Sequence, residues 1–303
     1  MTGVGAPDAL NPGGASSAAI AAQLPAPIAE LVRDARWQVV AVDADGSTRW
    51  RVTAEDAAFD LAVAPTGGPL DRLAAQRRRL AWLTGVLPVA AADPRAGTAP
   101  NGLAVPAVVA SAADPDSGDG YLVTTVVPGT PAAGDEHRGD VDALIVALAR
   151  GLRSVHELAS ESCPFERSVD DLLTEATVRV AAGAVVPAQL SPPYRRYEPE
   201  RLLELAYEAR PANADDVVDL VVVQGRPTPA NTLVRQDRVT GYGDWSGLAV
   251  ADRYLDLAVA TRALALTVSP HALGPFVDSY GIEAPDLLKL DFFVLLVELL
   301  GLG

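Results

Sequence analysis

The sequence predicts an α+β fold in which a small antiparallel β-sheet with one helix precedes a larger, mainly helical part. Short valine-rich runs separated by turn residues occupy residues 37–127, and such runs are typical of strands. From residue 141 onward, apolar residues recur at intervals of three and four, which is the spacing of amphipathic helices. The length of 303 residues is enough for two domains.

The first part of the chain is predicted to begin with a β-hairpin. The turn Asp43-Ala-Asp-Gly46 separates two strand-like runs, and a glycine after aspartate favours a tight chain reversal. A later polar stretch at 114–119 separates the last two runs in the same way. The predicted elements, in order, are strands 37–42, 49–52 and 59–64, a helix at 70–83, and strands 105–110 and 121–127.

The second part is predicted to be helical, with a few short strands around a loop at 225–230. The composition changes at Val127-Pro-Gly129, which separates a predicted sheet domain at 25–128 from a predicted helical domain at 129–303. The start of the chain is rich in Gly, Ala, Pro and Ser, which predicts a flexible arm at 1–24. The predicted helices are 141–159, 168–182, 199–209, 253–266, 271–279 and 286–300, and the predicted short strands are 217–223, 231–234 and 238–243.

The charge of the chain limits its partners. There are 39 acidic residues against 24 basic ones, a net charge of −15, which disfavours nucleic acid or an anionic membrane as the main partner and favours cationic ligands or plain solubility. The expected ligand is a small molecule or a nucleotide. The chain has one cysteine, Cys163, so it cannot form an internal disulfide, and we expect a cytoplasmic protein. It also has one lysine, Lys289, so a mechanism that needs a lysine elsewhere is excluded.

Three stretches of the second part carry a family resemblance. They are Gln224-Gly-Arg-Pro-Thr-Pro-Ala-Asn231, Arg238-Val-Thr-Gly-Tyr-Gly-Asp-Trp-Ser246 and Val250-Ala-Asp-Arg-Tyr-Leu-Asp-Leu-Ala258. With these stretches the chain resembles the aminoglycoside 3′-phosphotransferase family from about Ala26 to Leu300. The resemblance implies a protein-kinase-like two-lobe fold and an ATP-dependent transfer of phosphate to a hydroxyl.

Several positions that the resemblance assigns to chemistry have changed. Arg226 stands where the family has the catalytic aspartate, and Gln224 stands where it has the loop histidine. Arginine stays protonated and cannot accept a proton. Ala62 replaces the phosphate-binding lysine and Gln76 replaces its glutamate partner. The resemblance therefore predicts a catalytically impaired member, a pseudokinase.

Two positions retain the family's magnesium ligands. Asn231 and Asp244 offer the oxygen atoms that Mg²⁺ prefers, although both residue types also commonly stabilise loops and turns. We expect weak binding of Mg²⁺ and ATP, with Val123 and Thr124 on the strand beside the adenine. Arg226 either anchors a phosphate or is solvated or paired with Asp244.

The resemblance also implies a pocket for a cationic sugar, lined by acids of the helical half and of the terminal helix. That helix ends in Asp-Glu-Phe-Phe in the family and in Val297-Glu-Leu-Leu300 here, which leaves Glu298; Asp252 is the other pocket residue that we predict. The segment 287–300 is apolar almost all round, which predicts a buried core helix, with a dimer or partner interface as the alternative.

Three functions remain open at this point. The first is a pseudokinase that acts as a nucleotide-binding, ligand-binding or regulatory module. The second is an active ATP-dependent kinase for a hydroxyl of an aminoglycoside or other small metabolite, with Asp215, Asp216 or Asp252 as the acid. The third is a partner-binding protein without a nucleotide site. His156 is interpreted as a packing residue of its helix.

Overall fold

The computed structural model describes residues 20–21, 24–42, 46–55, 57–65, 70–90, 102–214 and 219–302. The chain forms two compact units, 1–128 and 129–303. The flexible arm predicted at 1–24 lies mostly outside the described residues. Where that segment is described, Ile20 and Leu24 are buried in the core of the first unit.

The first unit is a five-stranded antiparallel sheet in the order β1-β2-β3-β5-β4. This confirms the predicted sheet and its accompanying helix. The fourth strand starts three residues later than predicted, and a short N-terminal helix adds to the prediction. The elements are α1 (Ala26–Leu31), β1 (Arg36–Val42), β2 (Thr48–Thr53), β3 (Ala58–Ala64), α2 (Leu70–Leu83), β4 (Val108–Ala113) and β5 (Gly120–Thr125).

One face of this sheet packs on the core of the first unit. Trp50, Leu61 and Val123 are fully buried there, together with Ile28 of α1. Burial of each such side chain contributes on the order of 1.5–3 kcal/mol. Since side chains alternate along a strand, the paired residues Ala62 and Leu122 lie on the opposite face of the sheet.

The second unit is mainly helical, as predicted, with two small antiparallel sheets. One pairs β10 with β7, and the other has the order β6-β8-β9. The strands β6 and β10 were not predicted. The two residues of β6 are too few for a periodic signal. The elements are β6 (Thr130–Pro131), α3 (Val141–His156), α4 (Val169–Ala181), α5 (Pro199–Glu208), β7 (Leu220–Val223), β8 (Thr232–Arg235), β9 (Arg238–Tyr242), β10 (Ala249–Asp252), α6 (Arg253–Thr267), α7 (Leu273–Tyr280) and α8 (Leu287–Leu300).

The terminal helix α8 packs against α4, α5 and α6. Phe292, Phe293 and Leu296 are fully buried, as the apolar pattern predicts for a core helix. The first turn differs, because Leu287 and Leu288 are 57% and 80% exposed. Within the described ranges, no helix is both long enough and apolar enough to cross a membrane.

Candidate functional site

The loop between β7 and β8 carries the altered motif, and its sharp turn depends on glycine. Gly225 has φ +89, a backbone conformation that residues with a Cβ rarely adopt. A Cβ at this position would also collide with the backbone of Gly247. Only glycine therefore fits at this position of the turn. Gln224 and Arg226 flank Gly225, which lies against the backbone of Gly247.

Asp256 of α6 accepts two hydrogen bonds from the backbone of this turn. Its Oδ2 accepts the Gln224 N–H at 2.6 Å, and its Oδ1 accepts the Gly225 N–H at 2.8 Å. The carboxylate is fully buried, so both bonds are shielded from water. Hydrogen bonds to a charged group in such surroundings are stronger than neutral ones. Asp256 thus fixes the position of the loop relative to α6.

Asp256 is oriented in turn by a buried chain of side chains from three helices. His156 Nε2 lies 3.0 Å from Asp256 Oδ2, and His156 Nδ1 lies 2.6 Å from the hydroxyl of Tyr280. A carboxylate only accepts, so the hydrogen belongs on Nε2 and the tyrosine hydroxyl can donate to Nδ1. Arg253 in turn donates a hydrogen bond to Tyr280. His156 therefore packs in its helix as expected, and through Asp256 it is also hydrogen-bonded to the loop.

The side chain of Gln224 connects the loop to the chain that follows β9. Its Nε2 donates to the carbonyl of Asp244 at 2.6 Å, and its Oε1 accepts the Arg226 N–H at 2.8 Å. Gln224 is fully buried. It therefore stabilises the loop at the position of the family's histidine without presenting a titratable group.

Asn231 and Asp244, the predicted metal ligands, are brought together by the structure. Asn231 Oδ1 accepts the Asp244 N–H at 2.8 Å, and Asn231 Nδ2 donates to the carbonyls of Arg226 and Asp244. Asp244 Oδ1 accepts the Ser246 N–H at 2.8 Å. Both side chains thus have structural duties, the alternative that the sequence left open.

These duties are compatible with a metal ion. An amide oxygen has two lone pairs and a carboxylate about four acceptor positions, so both residues can also coordinate a hard cation. Among the described residues there is no group of three or more His, Cys, Asp or Glu side chains that could hold a metal. One carboxylate and one amide oxygen fit Mg²⁺, which keeps several waters and takes its other ligands from phosphates.

Asp252, predicted in the substrate pocket, is instead part of a buried ion cluster. Its Oδ2 lies 2.5 Å from Lys289 Nζ, which also binds Asp219 at 2.8 Å and the carbonyl of Asn213 at 2.9 Å. Burial raises the pKa of Asp252, although the Lys289 ammonium opposes this. Burial alone would lower the pKa of Lys289, but its two carboxylate partners outweigh it and the pKa is raised. Asp252 is thus engaged in a buried ion pair, and its place in a substrate pocket stays a prediction.

Glu298, the other predicted pocket acid, is also engaged. Its side chain is fully buried, and Arg262 binds both carboxylate oxygens, at 2.6 and 3.0 Å. The Ser191 N–H donates a further hydrogen bond at 2.9 Å. A carboxylate that is neutralised by a bidentate arginine offers little to a cationic ligand. A role of Glu298 in a substrate pocket stays a prediction.

The first unit contains the remaining predicted residues. Ala62 lies on β3, and Gln76 is buried on α2, so no cation or acid stands at the two ion-pair positions. The side chain of Val123 belongs to the core cluster, and its strand is paired on both sides, by Leu61 and Ala110. The side chain of Val123 therefore packs the sheet, and nucleotide contacts by Val123 and Thr124 stay predictions.

Sequence reasoning missed Asp256 and Tyr280, and it assigned His156 only a packing role. Asp256 lies inside the motif Val250-Ala-Asp-Arg-Tyr-Leu-Asp-Leu-Ala258, and this could have marked it as a candidate. His156 and Tyr280 are separated from it by 100 and 24 positions in the sequence respectively. No local pattern connects residues at such separations.

With the geometry established, comparison with known proteins defines the class. The sequence matches the phosphotransferase enzyme family over residues 36–293. The chain belongs to this family, and the resemblance inferred from its motifs is confirmed.

Individual relatives are aminoglycoside phosphotransferases. One from Streptomyces fradiae, an aminoglycoside 3′-phosphotransferase, is 36% identical over 205 residues, which cover 65% of this chain and 74% of that protein. The crystal structure of an aminoglycoside 3′-phosphotransferase of type VIII is 32% identical with a TM-score of 0.72, covering 90% of this chain and 96% of the other. A phosphotransferase from Streptomyces rimosus, solved with ADP and streptomycin, is 25% identical with a TM-score of 0.70, covering 90% and 96%. These similarities confirm the kinase-like fold.

Proposed function

We propose that this family member binds a nucleotide and a small hydroxylated molecule, but transfers the phosphoryl group slowly or not at all. The observation that supports this most is Arg226, which stands at the position of the proton-accepting aspartate and cannot accept a proton. Loss of a general base typically lowers the rate by about 10²–10⁴.

The acids near the loop do not replace that base. Asp256 accepts hydrogen bonds from three donors, and Asp252 is bound to Lys289 in a buried pair. A general base must reach the substrate hydroxyl and have an acceptor position for its proton. Neither of these two carboxylates meets both requirements.

Nucleotide binding is expected to be weak and to depend on magnesium. Ala62 supplies no positive charge for the phosphates, so Arg226 is the cation that the loop can offer. Asn231 and Asp244 would hold Mg²⁺, which when bound neutralises charge on the phosphate oxygens. Support for nucleotide use comes from the Streptomyces rimosus relative, which was solved with ADP.

An active ATP-dependent kinase is the second candidate, and the comparisons favour it over the impaired protein. Relatives that match most of the chain are named as phosphotransferases, and one was solved with streptomycin. The base in this case would have to come from outside the loop. Of the acids considered from the sequence, Asp215 and Asp216 lie outside the described residues.

A coupled assay of ADP release distinguishes the two candidates. ATP, Mg²⁺ and a panel of aminoglycosides that includes streptomycin would be tested with the wild type, with Arg226→Asp, and with Ala62→Lys/Gln76→Glu/Arg226→Asp. We expect no turnover from the first two and measurable turnover from the triple variant, because only the triple variant restores the base, the phosphate cation and its partner. Arg150→Asp, at an exposed position on α3, is the charge-matched control.

The ADP-release assay and a thermal-shift titration together distinguish the three candidate functions. Wild-type turnover near the usual rate of about 1–100 s⁻¹ for kinases would establish the active enzyme and overturn the impaired one. A thermal-shift titration with ATP, with and without Mg²⁺, tests the third function. A ligand at a hundredfold excess over its Kd stabilises the native state by about 2.7 kcal/mol, and the absence of any shift would favour a partner-binding protein without a nucleotide site.

A further inference from the structure

A second concave site lies inside the first unit, between α2 and the β4–β5 hairpin. The cleft has a volume of about 340 Å³, and its lining includes Leu73, Ala74, Arg77, Ser111 and Leu122. Sites for small molecules generally start at about 300 Å³, so the cleft has room for a compact organic ligand.

The cleft exists because small side chains stand opposite the helix. The β4 residues that line the cleft are Ser111, Ala112 and Ala113, and their small side chains leave space in front of α2. Ser111 is paired with Leu122, so their side chains lie on the same side of the sheet. Leu122 is buried and forms an apolar floor, while Leu73 and Ala74 form the helix wall. An apolar group of a ligand would therefore be well accommodated.

Arg77 gives this apolar cleft one charged group. It is the only charged residue in the lining as far as the chain is described. Its exposed guanidinium makes no hydrogen bond or ion pair with another described residue, whereas Arg79 on the same helix donates to the carbonyl of Ala75. The guanidinium of Arg77 thus has donors available to a ligand in the cleft. Its forked donors match the two oxygens of a carboxylate.

We propose that this cleft binds a small monocarboxylate with an apolar, ring-sized body. The body occupies the space above Leu122, and the carboxylate is held by Arg77 at the rim. This site consists of first-unit residues alone, and it is independent of the loop around Arg226 and of whether the protein transfers phosphate.

The test uses 3-(4-fluorophenyl)propionate as a probe, with binding followed by ¹⁹F NMR and competition by unlabelled 3-phenylpropionate. The neutral 3-(4-fluorophenyl)propanamide has the same shape without the charge. Arg77→Gln removes the anchor, and Arg78→Gln is the matched control, since Arg78 is also exposed but does not line the cleft. Ser111→Trp fills the space from an exposed strand position.

We expect saturable binding of the carboxylate to the wild type and to Arg78→Gln with the same Kd. Arg77→Gln should weaken it by about tenfold or more, because a hydrogen bond to a charged group is lost. The amide should bind about tenfold more weakly to the wild type, and Ser111→Trp should abolish binding. The proposal is overturned if the wild type does not bind the probe saturably, if the two arginine variants weaken binding equally, or if acid and amide bind alike. Circular dichroism of each variant establishes that it is folded before binding is compared.

Discussion

Asp256 Oδ2 and His156 Nε2 lie 3.0 Å apart in the interior of the second unit. The same carboxylate receives the N–H groups of Gln224 and Gly225, so a buried pair of side chains supports the turn that carries Arg226. Arg226 therefore follows a turn that buried hydrogen bonds hold in place. Those bonds are present although the residue expected to accept the proton is replaced by Arg226.

The first prediction concerns these hydrogen bonds. Asp256→Ala should lower the free energy of unfolding by about 3–5 kcal/mol, because three buried donors lose their acceptor. Chemical denaturation measures the change. Asp170→Ala removes the acid of an exposed pair with Arg210 and should have little effect. If Asp256→Ala lowered the free energy of unfolding as little as Asp170→Ala does, the role assigned to the Asp256 carboxylate would be contradicted.

The second prediction concerns Tyr280. Tyr280→Phe should cost about 1–3 kcal/mol of stability, because His156 Nδ1 is left without its buried partner. Burial raises the pKa of Tyr280 to about 12, so the hydroxyl keeps its proton at neutral pH. Tyr207→Phe is the matched control, since that hydroxyl is exposed and bonds Thr177 at the surface. Equal effects of the two changes in denaturant titrations would argue against the buried chain.

The third prediction is a pH dependence at the Lys289 cluster. Lys289→Met leaves Asp252 buried without its cation, so stability at pH 7 should fall by about 3–5 kcal/mol. The pKa of Asp252 is already raised by burial and should rise further in the variant. When the pKa of a carboxyl group is higher in the folded than in the unfolded state, the stability of the folded protein falls as the pH rises through the folded pKa.

The penalty of Lys289→Met should therefore shrink between pH 7 and pH 5. Thermal melts of variant and wild type across this range measure it. Arg201→Met breaks exposed pairs with Glu204 and Glu208 and should show no such trend. A penalty that stays constant or grows on acidification would show that Asp252 is not the group responsible.

The fourth prediction concerns the surviving oxygen ligands. Asp244→Ala should abolish magnesium-dependent ATP binding in calorimetry, because the carboxylate of the proposed pair is removed. Asp278→Ala, at an exposed position of α7, should leave binding unchanged. ATP binding that persists in excess EDTA and in Asp244→Ala would place the nucleotide elsewhere.

Much of the fold could be predicted because its signals are local. The α2 helix was predicted with the bounds observed, since its apolar spacing is uninterrupted from Leu70 to Leu83. The β4 strand was misplaced, because the alanine-rich stretch around Val108 has little strand propensity and its place depends on pairing with β5. For the candidate site, the family resemblance pointed to Asn231 and Asp244 as metal ligands, and the fold brings the two side chains into contact.

The sequence by itself determined the two-part α+β organisation, the family, and the replacement of the loop aspartate by Arg226, because each depends on residue order and type. Only the tertiary structure decided what the buried acids do. Glu298 and Asp252 were expected to face a ligand, but Arg262 and Lys289 neutralise them from other helices. A charge is costly to bury unless it is paired, and the partner that makes burial possible is chosen by packing between helices distant in sequence.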